Sequence, residues 1–70
     1  METIKKIRAY LGMTQRAFSD YIGVSLRTIE EWEKGRRNPK EYIIELIILK
    51  VKTDLATSEQ QKFEDFLQNA

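Results

Sequence analysis

A three-residue turn, Gly23-Val24-Ser25, lies between two short amphipathic runs and limits what this chain can become. On its N-terminal side Phe18, Tyr21 and Ile22 recur at helical spacing beside Ala17, and all four are expected to be buried. Thr14 precedes them as an N-cap whose hydroxyl accepts from an orphan backbone N–H. Gly23 stands just past the run, where a left-handed residue ends a helix without a Cβ clash. Ser25 caps the second run, Val24 is placed to staple onto Ile29, and Ile29 and Trp32 form the inward stripe until Lys34-Gly35 closes it. Two helices joined this tightly must cross steeply, so the start of the second projects from the surface. Ser19, a small residue in the helix ahead of the turn, suits the close approach of such a pair.

Similar punctuation divides the rest of the chain. Ile4, Ile7 and Leu11 predict a first helix from Glu2 to Leu11, ended by Gly12. Asn38-Pro39 predicts the start of a fourth, with Asn38 as N-cap, Pro39 at the first helical position and Glu41 two residues on. That helix, residues 39–52, is apolar on nearly every side, and its β-branched run also reads as a strand. Capping, length and the lack of a partner strand favour helix. Thr57-Ser58 predicts a fifth, residues 58–69, with Gln61 closing a capping box on Ser58 and Phe63, Phe66 and Leu67 facing inward. Tyr10 and Tyr42 are expected to pack. The fold class is therefore all-α: one compact five-helix domain over residues 1–70, with a helix-turn-helix unit at 15–34.

Several functions are disfavoured by what the 70 residues lack. With neither cysteine nor histidine there is no disulfide, no zinc site of the usual kind and none of the commonest nucleophile–base pairs. No glycine loop cradles a phosphate, and no metal, cofactor or enzymatic activity is expected. No signal peptide is read, and the absence of cysteine fits a reducing cytosol. The apolar stretch Tyr42 to Val51 is interrupted by Glu45 and Lys50 and falls short of the roughly 20 residues of a membrane span. The net charge of +1 conceals an asymmetry. Residues 1–40 carry nine Lys/Arg against five Asp/Glu, whereas residues 41–70 carry three against six. A polyanion would meet the first part.

The runs Leu11-Gly12-Met13-Thr14-Gln15, Ile22-Gly23-Val24-Ser25 and Ile29-Glu30-Glu31-Trp32-Glu33-Lys34-Gly35-Arg36-Arg37-Asn38-Pro39 together resemble the Cro/phage-repressor (XRE) family of helix-turn-helix DNA-binding domains. The resemblance covers about residues 3–52. It implies that Leu26, Arg27 and Glu31 contact bases, that Gln15 contacts a phosphate, and that Lys34, Arg36, Arg37 and Asn38 meet the DNA backbone. Thr14 and Arg16, flanking Gln15, are grouped with it as backbone contacts. An ion pair between Arg8 and Glu33 is implied as well.

Helix geometry gives a consistent reading. With Ile29 inward and about 100° per residue, Trp32 and Leu26 fall near the core direction and Arg27, Glu31 and Lys34 on the opposite side. Arg27 suits guanine O6/N7, Glu31 cytosine N4 and Leu26 a thymine methyl, while Ser25 and Thr28 suit phosphate. The competing reading pairs Arg27 with Glu31, and Glu30 with Lys34, on a solvated face.

The fourth and fifth helices carry more apolar surface than a small monomer easily buries, which points to a partner. The leading expectation is a homodimer on a palindromic double-stranded operator, acting as an autoregulatory repressor in a prokaryotic or phage setting. The alternative is an antitoxin-like or adaptor module that binds a protein through helix 4 and the C-terminal region.

Overall fold

The computed structural model describes residues 2–69, except for the side chain of Glu2. It contains five helices: α1 (Glu2–Tyr10), α2 (Gln15–Ile22), α3 (Leu26–Glu33), α4 (Glu41–Asp54) and α5 (Thr57–Asn69). No strand occurs among the described residues. Two compact units divide at Lys40 and Glu41.

The first unit holds α1, α2 and α3, with α3 packed on both of the others. Ile4 and Ile7 of α1, Phe18 of α2, and Ile29 and Trp32 of α3 are buried. Each such aliphatic or aromatic side chain contributes about 1.5–3 kcal/mol relative to exposure. Ser19 is also buried, its hydroxyl donating to the Arg16 carbonyl at 2.8 Å, so the small residue ahead of the turn enters the core without an unsatisfied polar group. Tyr21 and Ile22 are half-buried, but Ala17 is exposed, contrary to the sequence reading. It lies about 100° around the helix from Phe18, about 40° beyond Tyr21 and on the side away from Ile22 and the buried Ser19, so the inward stripe leaves it outside.

The second unit holds α4 and α5. Ile47, Val51 and Phe63 are buried, Phe66 and Leu67 half-buried, and the Phe63 and Phe66 rings stack with centroids 6.4 Å apart. Lys52 of α4 pairs with Glu64 of α5. Tyr42, expected to pack, is 57% exposed.

Two helix starts differ from the sequence reading. Asn38, Pro39 and Lys40 lie outside α4, which begins at Glu41. Proline fixes φ in a way that suits a loop as well as a first helical turn, and here the Pro39 side chain is buried in the connecting segment. Helix α5 begins at Thr57, and the Ala56 carbonyl accepts the N–H groups of Glu59 and Gln60. The Ser58–Gln61 capping box does not form. Gln61 donates to Asp65 at 3.0 Å, while the Gln60 amide donates to the carbonyls of Lys52 at 2.8 Å and Leu55 at 3.4 Å. Gln60 thus supplies side-chain donors at the end of α4, where the Lys52 carbonyl also accepts the Leu55 N–H at 3.2 Å.

Candidate nucleic-acid interface

Side-chain caps and a left-handed glycine set the register of α2 and α3. The Thr14 hydroxyl accepts from the Ala17 N–H at 3.0 Å, which opens α2. At its other end Gly23 adopts φ +74°, and the Val24 N–H reaches back to the Ser19 carbonyl at 3.1 Å. Ser25, extended at φ −62° and ψ 149°, accepts from the Thr28 N–H at 3.1 Å. The Ser25 and Thr28 hydroxyls also share a hydrogen bond of 2.9 Å. Helix α3 therefore starts at Leu26, and its inward residues are Ile29 and Trp32.

The end of α3 is fixed just as closely. Gly35 at φ +76° lets its own N–H bond the Trp32 carbonyl at 3.2 Å and the Arg36 N–H bond the Glu31 carbonyl at 3.0 Å, the paired pattern of a Schellman turn. This turn carries the chain into Arg36, Arg37 and Asn38, all exposed.

Between these two ends lies an open depression of about 430 Å³, lined by Leu26, Arg27, Glu30, Glu31, Lys34 and Arg36. The three residues expected to contact bases thus share one surface with Lys34 and Arg36. Arg27 and Lys34 are exposed, and Leu26, Glu30 and Glu31 half-buried. Arg27 forms no ion pair with Glu31, nor Glu30 with Lys34. The solvated-pair reading of this face is therefore not what the structure adopts. Thr14, Arg16 and Ser25 are exposed, and Gln15 and Thr28 half-buried.

Glu33 behaves differently from its two neighbours. It falls about 40° from Ile29 around the helix, on the inward side, and its side chain is only 6% exposed. Arg8 meets it through two parallel bonds, Nε to Oε2 at 2.7 Å and Nη2 to Oε1 at 2.9 Å. The third guanidinium nitrogen, Nη1, donates to the Met13 carbonyl at 3.0 Å. The Gln15 amide also donates to Glu33 Oε1, at 3.1 Å. Burial alone would raise the Glu33 pKa, but the hydrogen bonds from Arg8 and Gln15, with the charges of Arg8 and Lys5, outweigh it and hold the carboxyl below its ordinary value. Donation to this carboxylate raises the Arg8 pKa against the effect of burial. One carboxylate therefore connects α1, the start of α2 and the end of α3.

The bond from Gln15 to Glu33 was not foreseen in the sequence. Its only advance sign is the inward angle of Glu33, which leaves that carboxylate needing more than one donor. Among the described residues no cluster of acidic side chains is arranged to hold a metal ion, and no buried side-chain polar atom lacks a partner. No described helix is long and apolar enough to cross a membrane.

A capped helix, a glycine turn and a second helix presenting an exposed polar face define a helix-turn-helix protein. The family model for helix-turn-helix domains, HTH_3, matches residues 4–56. The chain belongs to this XRE-type helix-turn-helix family, whose members are DNA-binding regulatory domains rather than enzymes. It is a DNA-binding regulator. Comparison with curated proteins and with solved structures returned no match.

Proposed function

We propose that the chain is a sequence-specific repressor that inserts α3 into the major groove of a palindromic operator as a homodimer and controls its own transcription. The observation that carries this reading is the single outward surface of Leu26, Arg27, Glu30, Glu31, Lys34 and Arg36, with Arg27 and Glu31 not consumed by each other. Arg27 reads guanine through O6 and N7, Glu31 accepts from cytosine N4, and Leu26 packs on a thymine methyl. Gln15, held from behind by Glu33, presents its amide and backbone N–H to a phosphate near the positive end of α2. Thr14, Arg16, Ser25, Thr28, Lys34, Arg36, Arg37 and Asn38 complete the backbone contacts. A reading domain acts most simply by covering a promoter, in the cytosol of a prokaryote or a phage-infected cell.

Selection of the purified protein on random duplex DNA at about 0.15 M salt tests this directly. Enrichment of an inverted repeat with half-sites centred about 10 bp apart is the expected result. Enrichment of no sequence would refute specific reading and favour the adaptor alternative. In that case substitutions on α4, and not at Arg27 or Gln15, would abolish function.

A further inference from the structure

Two lysines of α1 are adjacent in sequence but stand on different flanks of the helix. The buried Ile4 and Ile7 fix its inward direction. At about 100° per residue, Arg8 falls about 70° to one side of that direction and Lys5 about 60° further round on the same flank. Lys6 falls as far round on the opposite flank. Both lysines are exposed, so they differ in direction and not in accessibility.

The flank that carries Lys5 is the one that meets Glu33 and, through it, the start of α2. Arg8 occupies both oxygens of Glu33, and the Gln15 amide shares Oε1. Lys5 enters no ion pair among the described residues. Its charge is nevertheless among those that hold the Glu33 carboxyl below its ordinary value, and that of Lys6 is not. Since Arg8 and Glu33 neutralise each other, the positive charge that α1 leaves over beside Gln15 is that of Lys5.

We propose that Lys5 extends the nucleic-acid interface onto α1, its ammonium taking a backbone phosphate beside the one received by Gln15. Such a contact positions the protein and carries no base information. Lysine suits it, because a flexible stem delivers a point charge to an oxygen whose place shifts with the shape of the groove. A lysine kept only to support Glu33 would close onto the carboxylate. Here Arg8 already supplies a donor to each oxygen, and the ammonium stays in water. This inference rests on the start of α2 meeting the DNA backbone, as proposed above, and not on a palindromic operator or a dimer.

The test compares the full-length K5Q and K6Q variants between about 50 and 200 mM salt, at a temperature where both are folded. Each is titrated against a short random-sequence duplex and against any sequence enriched by the selection described above. One phosphate contact contributes about 0.9 to the slope of log K against log salt, which counted from 1 M is about a five-fold loss of affinity at 0.15 M. K5Q should show that loss equally on both duplexes, K5R should retain the slope, and K6Q should leave it nearly unchanged. Equal losses in K5Q and K6Q would mean diffuse attraction by the basic part of the chain and would refute the contact. A K5Q variant that melts lower but keeps its slope would assign Lys5 to the support of Glu33 and overturn the proposal. If selection enriched no sequence, specific reading would fail, while the random duplex would still decide the role of Lys5. Binding to neither duplex would overturn both.

Discussion

Replacing Glu33 by glutamine removes one charge from the first unit while nearly preserving side-chain volume. The side chains of Glu33 and Arg8 are 6% and 18% exposed, so the variant leaves a guanidinium largely out of water without its counter-charge. Breaking a buried pair in this way costs about 3–5 kcal/mol. The remaining amide oxygen can still accept from Arg8, and the exposed edge of the guanidinium recovers some solvation, so about 2–3 kcal/mol is expected here. For a domain of this size each kcal/mol lowers Tm by about 4–8 °C, so E33Q should melt roughly 10–20 °C below the unsubstituted chain at neutral pH. The pH dependence supplies a second readout. Because the folded pKa of Glu33 lies below the unfolded one, its contribution is fully present above the ordinary glutamate value of about 4.3. It is lost as pH falls through the lower folded value. Stability of the unsubstituted chain should therefore fall more steeply than that of E33Q between about pH 5 and pH 2, and the two curves should converge. Urea denaturation followed by circular dichroism across this range measures both quantities. A neutral-pH difference below about 0.5 kcal/mol, or parallel pH curves, would refute the inference that the Arg8–Glu33 pair stabilises the unit.

Other substitutions separate stability from recognition. Gly23→Ala places a Cβ at φ +74° with no atom within 4 Å of it, so its cost is backbone strain alone, about 1–2 kcal/mol by chemical denaturation, and Gly23→Asn should cost less. Gln60→Ala removes the donor to the Lys52 and Leu55 carbonyls and should cost about 1 kcal/mol in the same assay, without changing DNA affinity at temperatures where the protein is folded. In binding titrations Arg27→Ala should cost about 1–3 kcal/mol and relax preference at one base pair, whereas Arg36→Ala should weaken all sequences alike and lower the salt slope by about one. Glu31→Gln should move preference at its position from cytosine towards adenine, which repeated selection on random duplexes would reveal.

The helix-turn-helix unit was legible because its signals are local. Thr14, Gly23, Ser25 and Gly35 act on groups within a few residues of themselves, and each adopts the backbone conformation its type favours. The two misplaced helix starts show where local signals fail. Asn38-Pro39 has the chemistry of a helix opening, but burial of the proline ring holds it in the connection. At α5 a one-residue shift of the helix start gives Gln60, rather than Gln61, the access to the last carbonyls of α4. The bond from Gln15 to Glu33 spans 18 residues, and no periodicity in the sequence encodes such a partner. The outward surface of α3 lies between these cases: helix angle alone assigned its faces, whereas only the coordinates show Arg27 and Glu31 not pairing with each other.

The three glutamates of α3 show why net charge says little about this protein. Glu30, Glu31 and Glu33 are chemically identical and almost adjacent, yet helix angle separates them. Glu33 points inward, is neutralised by Arg8 and orients Gln15, so its charge contributes little repulsion towards a polyanion. Glu30 and Glu31 remain on the outward surface beside Arg27, Lys34 and Arg36, where they oppose approach to any phosphate backbone. A reading face built only for affinity would not carry them. In the proposed reading their presence lowers affinity for every sequence, and Glu31 would regain that loss only where a cytosine amino group meets its carboxylate. The proposed operator binder should therefore show weak non-specific binding for its count of exposed cations and a correspondingly large ratio between its site and random DNA.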